Sequence, residues 1–337
     1  MSLFAEVTSS LIVVGLLISG AVWVTEGKLL IGEMMAAYSL LANILSAVNR
    51  FVDANIILQE TSIASTRLMD MLLIDSEESE GKLQFEMSNS LSIKIGSFSW
   101  NGRKNLFQNV DLIIEKGKIT SLWGSSGAGK STLVQILQRK YKLNKGSVFV
   151  DDINAEEIDL SEYRKTIGVV PQAIKIFDGS IAENILMGRE ISDLTILEKR
   201  IVELGLLPFY QRFEYGLATI IGEDGRELSG GEKQLISITR ALLNNPKILI
   251  IDEGLSGIDI ELEIIIFDVI KFYSKNNAVL LITHNLNSIL KTDFVYVLAN
   301  GTISQNGTPQ ELVSLDGYFS EMWKLRQSIY NSKTNLA

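Results

Sequence analysis

The residues with the clearest chemical meaning form the motif GSSGAGKST at 124–132. A strand-like run, ITSLW, precedes the motif and a helix-like run follows it, which is the context of a phosphate-binding loop. Glycines allow backbone conformations that aim successive N–H groups at one anion, and the helix N-terminus adds about half a positive charge. Lys130 can reach the β- and γ-phosphates, and the Ser131 hydroxyl can ligate Mg²⁺. The predicted nucleotide-binding residues of this loop are Gly124, Ser125, Ser126, Gly127, Ala128, Gly129, Lys130, Ser131 and Thr132.

Two carboxylates end a second apolar run, ILIIDE at 248–253. A buried strand that stops at Asp252 places this group at the carboxyl edge of a sheet, where it can hold Mg²⁺ or a Mg²⁺-bound water. Glu253 then lies where a general base can polarise an attacking water. Paired acids after a strand are often only a solvated strand end, but the phosphate loop upstream favours the catalytic interpretation.

Two further segments are candidates for the same site. The glycine cluster ELSGGEKQ at 227–234 precedes a helical run and again presents backbone N–H groups at a helix N-terminus. His284 is the single histidine of the chain and ends the strand-like run AVLLIT. A lone histidine there is by default a core or turn residue, although a central strand would also bring it to the catalytic edge.

These segments, in this order, resemble the ATP-binding-cassette (ABC) ATPases. LSGGEKQ corresponds to the family's signature motif, Gln172 in VVPQ to its glutamine loop, and Asp259 in SGID to the loop after the catalytic glutamate. His284 in LLITHN matches the switch histidine, and Trp100 in FSW takes the place of the aromatic residue that stacks on adenine. The resemblance covers about residues 91–330 and implies an α/β P-loop NTPase fold with a RecA-like core and a helical subdomain.

The resemblance also implies roles for these residues, with ATP and Mg²⁺ as cofactors. The catalytic residues would be Glu253, His284 and Gln172, and the Mg²⁺ ligands would be Ser131, Gln172 and Asp252. Two cassettes would face each other head to tail, so that the signature of one chain completes the ATP site of the other. The signature residues expected to act in this way are Leu228, Ser229, Gly230, Gly231, Glu232 and Gln234.

The signature region resembles that of the exporters within this family. TIIGEDGRELSGG at 219–231 is similar to the exporter version of this region, and GTPQEL, which begins at Gly307, is similar to the exporters' closing element. The chain departs from the common exporter pattern at Leu235, at Gly257-Ile258 and at Pro309. None of these departures removes a predicted phosphate, metal or water contact.

Composition excludes several other classes of protein. The 337 residues include 40 acidic and 31 basic ones, for a net charge of −9, which argues against a nucleic-acid partner. No cysteine is present, so disulfides, thiolate metal sites and cysteine nucleophiles are excluded. The mean hydropathy is high, at +0.21, and predicts a membrane-embedded part.

The apolar excess lies near the N-terminus. Val7–Thr25 and Met34–Asn49 are uncharged stretches of 19 and 16 residues and predict two transmembrane helices. A signal peptide is disfavoured because the first six residues carry no Lys or Arg, and two buried helices of a soluble domain are the other alternative. Lys28 lies between the stretches, whereas Arg50 and Arg67 follow them, and this placement favours a topology with both chain ends in the cytoplasm.

The helical pattern continues beyond Arg50 and predicts one long helix that leaves the bilayer and packs against other helices. Its shared apolar face comprises Phe51, Ala54, Leu58, Leu68 and Leu72. The expected organisation is a partial transmembrane domain at 1–75, a linker at 76–90, the ATPase domain at 91–330 and a tail at 331–337.

The sequence thus predicts the ATP-hydrolysing subunit of a multi-pass membrane exporter with a cytoplasmic ATPase domain. Its first helices resemble the fifth and sixth of an exporter half-transporter, so four helices are expected from elsewhere. A split transporter, a truncated gene and a piece of a longer chain are the alternatives. The expected partners are a second cassette (identical or different), a polypeptide with the missing helices, and lipid. Peptide is one candidate cargo. The competing functions are a regulatory remnant that only binds ATP and, less favoured, a nucleic-acid-associated ABC ATPase.

Overall fold

The computed structural model describes residues 2–74, 77, 81–85, 87–100, 104–188, 194–222, 225–253 and 258–334. The predicted elements that fall outside these residues are Glu223 and Asp224 of the signature region, Ser256 and Gly257 of SGID, part of the linker, and the last three residues of the tail. The chain divides into two compact units, Met1–Glu78 and Ser79–Ala337, which are described separately.

The first unit is a helical hairpin made of α1 (Ser2–Thr25) and α2 (Ile31–Leu72). The Glu33 carboxylate accepts a hydrogen bond of 2.9 Å from the Leu30 N–H and so caps the start of α2. The two helices approach each other closely at Gly20, where a Cβ atom would lie 2.9 Å from Cγ of Met34. A larger residue at position 20 would require the Met34 side chain to shift.

Helix α2 is continuous over 42 residues, which confirms the predicted continuation beyond Arg50. At 1.5 Å per residue it is about 63 Å long, roughly twice the apolar thickness of a bilayer. None of its described residues is buried, and Phe51 is 74% exposed. Within the described part of the chain, α2 is the helix long and apolar enough to cross a membrane, while Ser10–Thr25 forms a shorter apolar helix.

The second unit contains two main sheets. A mainly parallel sheet of six strands has the order β12-β11-β3-β10-β9-β6, and an antiparallel sheet of four has the order β2-β1-β4-β5. Strands β7 and β8 form a short antiparallel pair. The strands are β1 (Ser90–Ser99), β2 (Asn105–Glu115), β3 (Ile119–Gly124), β4 (Lys145–Val150), β5 (Ile153–Asn154), β6 (Ile167–Val170), β7 (Gly179–Ser180), β8 (Ile220–Ile221), β9 (Ile248–Asp252), β10 (Ala278–Ile282), β11 (Phe294–Ala299) and β12 (Thr302–Gly307).

Helices cover the parallel sheet, which confirms the predicted α/β class. A helical region from α5 to α8 shares a core of apolar side chains with the sheet, including Leu197, Phe209 and Ile236. The helices are α3 (Lys130–Leu137), α4 (Leu160–Lys165), α5 (Ile181–Leu186), α6 (Leu194–Glu203), α7 (Leu207–Tyr210), α8 (Gly230–Leu242), α9 (Ile260–Ser274), α10 (Leu286–Ile289), α11 (Pro309–Ser314) and α12 (Tyr318–Thr334).

The three strands β3, β9 and β10 are buried at every residue, as the mainly apolar sequences of β9 and β10 predict; β3 also buries Thr120 and Ser121. They run parallel, and β10 pairs with both neighbours, so that Ile282 lies opposite Asp252 on one side and Leu122 on the other. The segments that follow these strands therefore leave the sheet at the same edge.

The chain enters the second unit along a short strap. Leu83 forms an isolated parallel bridge with Ile158, and Met87 is buried. The Asp151 carboxylate then accepts three backbone N–H bonds, from Ser88 at 2.9 Å and from Asn89 and Ser90 at 2.8 Å. Burial alone would raise the pKa of Asp151, but these three donors outweigh it and lower the pKa below its ordinary value. The charged carboxylate thus ties the start of β1 to the β4–β5 turn.

We predict that Asp151→Asn lowers the free energy of unfolding by about 1–2 kcal/mol at pH 7, because an amide NH2 replaces the oxygen that receives the Ser88 N–H. Asparagine tolerates the positive φ of 52° at this position, so the backbone is not the cause. Denaturant unfolding of the full chain in detergent measures the effect.

The pH dependence of this effect has a definite sign. A carboxylate with a lowered pKa stabilises the folded state above its unfolded-state pKa, near about 4, and this contribution is lost as the pH falls through the folded-state value. The gap between the two proteins should therefore shrink in acid. Asp152→Asn, at the exposed neighbour, is the control. An equal loss in both variants, or a gap independent of pH, would contradict the prediction.

Candidate nucleotide site

The loop 124–132 leaves β3 and leads directly into α3, as its sequence predicts. Gly129 precedes the first residue of this helix with φ of 98°, in the region that favours glycine. A Cβ at Gly129 would also lie 2.8 Å from the Phe107 ring, so a larger residue is excluded both by conformation and by space. The first N–H groups of α3 have no intrahelical acceptors and face an incoming anion.

Lys130 brings a buried positive charge to this loop. Its side chain is 5% exposed, and its Nζ donates to the carbonyl oxygens of Gly124 at 3.0 Å and Ser125 at 3.1 Å. The same Nζ lies 3.2 Å from Oε1 of Glu253. The ammonium group is therefore held by the loop itself and faces the carboxylate at the end of β9.

Asp252 ends β9 as a buried carboxylate with an unsatisfied oxygen. Burial raises its pKa, the hydrogen bond with Ser131 opposes this rise, the Glu253 charge adds to it, and the Lys130 charge counters it. Its Oδ1 is buried and has no hydrogen-bond partner among the described residues. A buried oxygen without a donor is expensive unless a cation or an ordered water binds it. Asp252 and Ser131 thus fit a Mg²⁺ site.

The protein provides only part of the ligand set that a Mg²⁺ ion would need at this site. Within the described residues, no group of three or more acidic or histidine side chains could enclose a metal by itself. Mg²⁺ commonly takes only one or two protein ligands and completes its shell with phosphate oxygens and water. Ser131 and Asp252 supply a hydroxyl and a carboxylate, which is sufficient for such a site.

Glu253 lies immediately beyond β9 in a strained backbone conformation. Its φ is 54°, which is uncommon for a residue with a side chain, and its N–H donates to the carbonyl of Ile282 at 2.9 Å. Its Oε2 accepts a hydrogen bond of 2.6 Å from Nε2 of Gln172. The pairing with β10 fixes this conformation and directs the carboxylate between Lys130 and Gln172.

A cavity of about 590 Å³ opens beside these groups. Nine of the predicted site residues line it, together with three that the sequence analysis did not select, namely Lys104, Asn105 and Leu106. The predicted lining residues are Trp100, Ser126, Gly127, Gly129, Lys130, Ser131, Thr132, Gln172 and Glu253. The remaining loop residues, Gly124, Ser125 and Ala128, are not among the lining residues.

Trp100 and His284 lie on either side of the loop in the sequence and on different elements. Trp100 follows β1, and its ring packs edge-on against Tyr141 at 4.7 Å and Phe98 at 5.6 Å. His284 follows β10 by two residues, is exposed, and does not line the cavity. Tyr141 was missed by sequence reasoning because nothing in the run RKYKLN marks it as a neighbour of Trp100.

The signature residues form a second cluster at the start of α8. Ser229 caps this helix through a reciprocal arrangement in which its Oγ accepts the Glu232 N–H at 3.2 Å and its N–H donates to Glu232 at 2.8 Å. The other oxygen of Glu232 lies 2.7 Å from Arg226. A Cβ at Gly231 would lie 2.5 Å from Leu262 and 2.7 Å from Ile258, so glycine allows α8 to pack on the start of α9.

The remaining signature and loop residues have structural contacts. Leu228 and Gln234 are buried, Gly230 is exposed, and Asp259 caps α9 by accepting the Leu262 N–H at 3.0 Å. Ser229, Glu232 and Asp259 line a cavity of about 470 Å³. Among the described residues, none of those at 228–234 lines the cavity at the phosphate loop.

Comparison with known proteins agrees with the nucleotide-binding fold described above. The family model described as ABC transporter matches residues 107–256. An ATP-dependent lipid A-core flippase of Wigglesworthia glossinidia brevipalpis is 33% identical over 302 residues, 89% of this chain and 52% of the flippase. The leukotoxin translocation ATP-binding protein LktB of Mannheimia haemolytica is 35% identical over 314 residues, 91% of this chain and 44% of that protein.

A structural match agrees with these sequence matches. The structure of a bacterial Atm1-family ABC exporter with ATP bound aligns with a TM-score of 0.71 and 25% identity, over 94% of this chain and 57% of the exporter chain. The chain spans about half the length of the curated relatives it matches. The α/β fold, the ordered motifs and these similarities together identify the second unit as an ATP-binding domain of the ABC transporter family, similar to those of a flippase, a leukotoxin translocator and an Atm1-family exporter.

Proposed function

We propose that this chain binds and hydrolyses ATP as the ATPase subunit of a membrane exporter. The observation that carries the proposal is the convergence of Lys130, Gln172 and Glu253 at the mouth of one cavity that Trp100 also lines. An aromatic ring, a phosphate loop with its lysine, and a carboxylate beside them are the parts that adenine, triphosphate and attacking water require.

Each group has a distinct part in the proposed reaction. Trp100 stacks on the adenine ring, while Lys130 and the N–H groups of the loop neutralise the triphosphate. Glu253 accepts the proton of the attacking water, and His284 orients this water and the γ-phosphate. Gln172 holds the Glu253 carboxylate in position, which the hydrogen bond of 2.6 Å supports. The chemistry is mainly positioning and charge stabilisation, with little covalent participation by the protein.

Mg²⁺ is the proposed cofactor, held by Ser131, Gln172 and Asp252. Bound with the substrate, it would neutralise charge on the β- and γ-phosphate oxygens. The unpaired Oδ1 of Asp252 supports this assignment, because burial of that oxygen is otherwise uncompensated.

A second cassette is the proposed partner. Ser229, Gly230 and Gly231 lie apart from the cavity at the phosphate loop, so they have no evident part in nucleotide binding within the same chain. The Ser229 oxygen already accepts the Glu232 N–H, which leaves its hydroxyl proton as a donor toward an anion on another chain. The signature of one cassette therefore completes the ATP site of the other.

The first unit is proposed to lie in the cell membrane, with the ATPase domain in the cytoplasm. The exposed apolar side chains along α2 need lipid or further helices as their surroundings. Two helices cannot enclose a path for cargo, so the proposal includes further helices, which a separate polypeptide supplies if the transporter is split. The names of the relatives, a lipid A-core flippase and a leukotoxin translocator, support export and leave peptide as one of the cargo classes. The proposed division is 1–75 membrane part, 76–90 linker, 91–330 ATPase domain and 331–337 tail.

We predict that Lys130→Ala weakens ATP binding at least about tenfold, because a buried cation that contacts the phosphates is lost. Equilibrium binding of labelled ATP to the full chain in detergent measures this affinity. Lys145→Ala, at an exposed lysine on β4, serves as the control and should bind like the unmodified chain. Unchanged affinity of Lys130→Ala would remove the phosphate loop from the proposed site.

Glu253→Gln should bind ATP normally but hydrolyse it about 100-fold more slowly or worse, because the amide keeps the shape and lacks a proton acceptor. Steady-state phosphate release in lipid and ATP binding are measured on the same preparation. Glu261→Gln, at an exposed residue of α9, is the matched control. Hydrolysis by Glu253→Gln at the unmodified rate would show that another group is the base.

The proposed membrane partner is tested by affinity purification from native membranes in mild detergent. A polypeptide with the additional transmembrane helices should accompany the chain in fixed stoichiometry. Recovery of the chain alone, with full ATPase activity, would contradict the split-transporter form of the proposal.

A further inference from the structure

The loop that follows Gln172 is anchored by one buried amide. Asn184, on α5, is 2% exposed, and its Oδ1 accepts the Phe177 N–H at 2.8 Å. Its Nδ2 donates to the carbonyls of Phe177 at 2.8 Å and Ser180 at 3.1 Å. Three backbone groups between β6 and α5 are thus satisfied by a single side chain, which defines the path of the loop.

Arg240, in the last turn of α8, holds the same loop from the other side. Its Nε donates to the carbonyl of Asn184 at 2.9 Å, and its Nη1 donates to the carbonyl of Lys175 at 3.2 Å. Lys175 is only three residues beyond Gln172. The guanidinium therefore connects the glutamine loop to α5, because it donates hydrogen bonds to a main-chain oxygen of each.

The hydrogen bonds of Arg240, like that of Arg139, are made to main-chain oxygens. Arg200, Arg212 and Arg226 each pair with a glutamate at 2.6–2.8 Å, whereas the recorded partners of Arg240 are carbonyl oxygens. Its Nη2 is buried without a hydrogen-bond partner among the described residues. Burying a guanidinium that is only partly satisfied is costly, so a requirement other than stability explains the residue better.

Helix α8 connects the contacts of Arg240 to the signature residues. Its N-terminus is the signature, capped by Ser229, and Arg240 lies about 16 Å further along the same rigid rod. One end of α8 therefore carries the residues proposed to act on a partner's ATP. The other end donates a hydrogen bond to the glutamine loop, in which Gln172 contacts Glu253.

We propose that Arg240, together with Asn184, is a positioning residue that places Gln172 at the metal side of the nucleotide site and links that placement to the position of the signature helix. The inference rests on the proposed function, since it assigns Gln172 a role in Mg²⁺ binding. Neither side chain touches the substrate. Both act through the backbone of residues 175–180.

The test compares Arg240→Lys with Arg200→Lys in the full chain. Lysine keeps the charge but cannot donate from a planar fork to two carbonyls. Arg200 is the matched control because its Nε also donates to a carbonyl at the end of α8, that of Leu242 at 3.1 Å, and it has no recorded contact with the glutamine loop. Asn184→Asp, which removes the two Nδ2 donations, is the second variant if Arg240→Lys does not fold.

The readout is the binding of Mn²⁺, used in place of Mg²⁺, with a non-hydrolysable ATP analogue, followed by electron paramagnetic resonance. Arg240→Lys or Asn184→Asp should weaken metal binding about tenfold, as loss of a group that orients a metal ligand typically does. Nucleotide affinity in EDTA and the melting temperature should match those of Arg200→Lys. In a Gln172→Ala background the same substitutions should add no further loss, because they act through Gln172.

Equal metal binding by Arg240→Lys and Arg200→Lys, or full additivity with Gln172→Ala, would overturn the inference. Failure of the unmodified chain to bind the nucleotide at all would instead overturn the proposed function. The two failures are therefore distinguishable in one series of measurements.

Discussion

The site depends on the parallel pairing of three buried strands. β10 is hydrogen-bonded to β3 on one side and β9 on the other, and all three are buried along their whole length. Burial of these strands leaves no freedom of register, since a shift by one residue would change which groups emerge at the edge. This pairing sets the positions of the groups at the edge, which are the phosphate loop, the carboxylates of Asp252 and Glu253, and His284.

At that edge, several residues adopt conformations or surroundings that lower the stability of the fold. Glu253 adopts a positive φ, Asp252 keeps a buried oxygen without a donor, and the Lys130 ammonium is almost fully buried. Such arrangements persist where the surrounding structure determines them, and they are concentrated at functional sites. The packing of the strands supplies that rigidity, and a metal bound with the nucleotide would supply the partner that Oδ1 of Asp252 lacks.

The motifs and the strands could be predicted because their signals are local. Unbroken apolar runs predict buried strands, the glycine motif predicts the loop into α3, and the serine and glutamate of LSGGE predict the capped start of α8. The contacts that tune the site could not be predicted in this way. Tyr141 meets Trp100, and Arg240 meets Lys175 and Asn184, only through the folded chain, and residues far apart in sequence leave no periodic pattern.

In the proposed function, the edge at which β3 and β9 end binds ATP with a divalent metal. The most direct test is the anomalous scattering of Mn²⁺ in crystals of Glu253→Gln grown with ATP. We predict a metal peak within coordination distance of the Ser131 hydroxyl and beside Asp252, with the triphosphate against Lys130. A nucleotide bound elsewhere, or a loop that holds ATP without metal density at Ser131 and Asp252, would show that this edge is not the metal–nucleotide site.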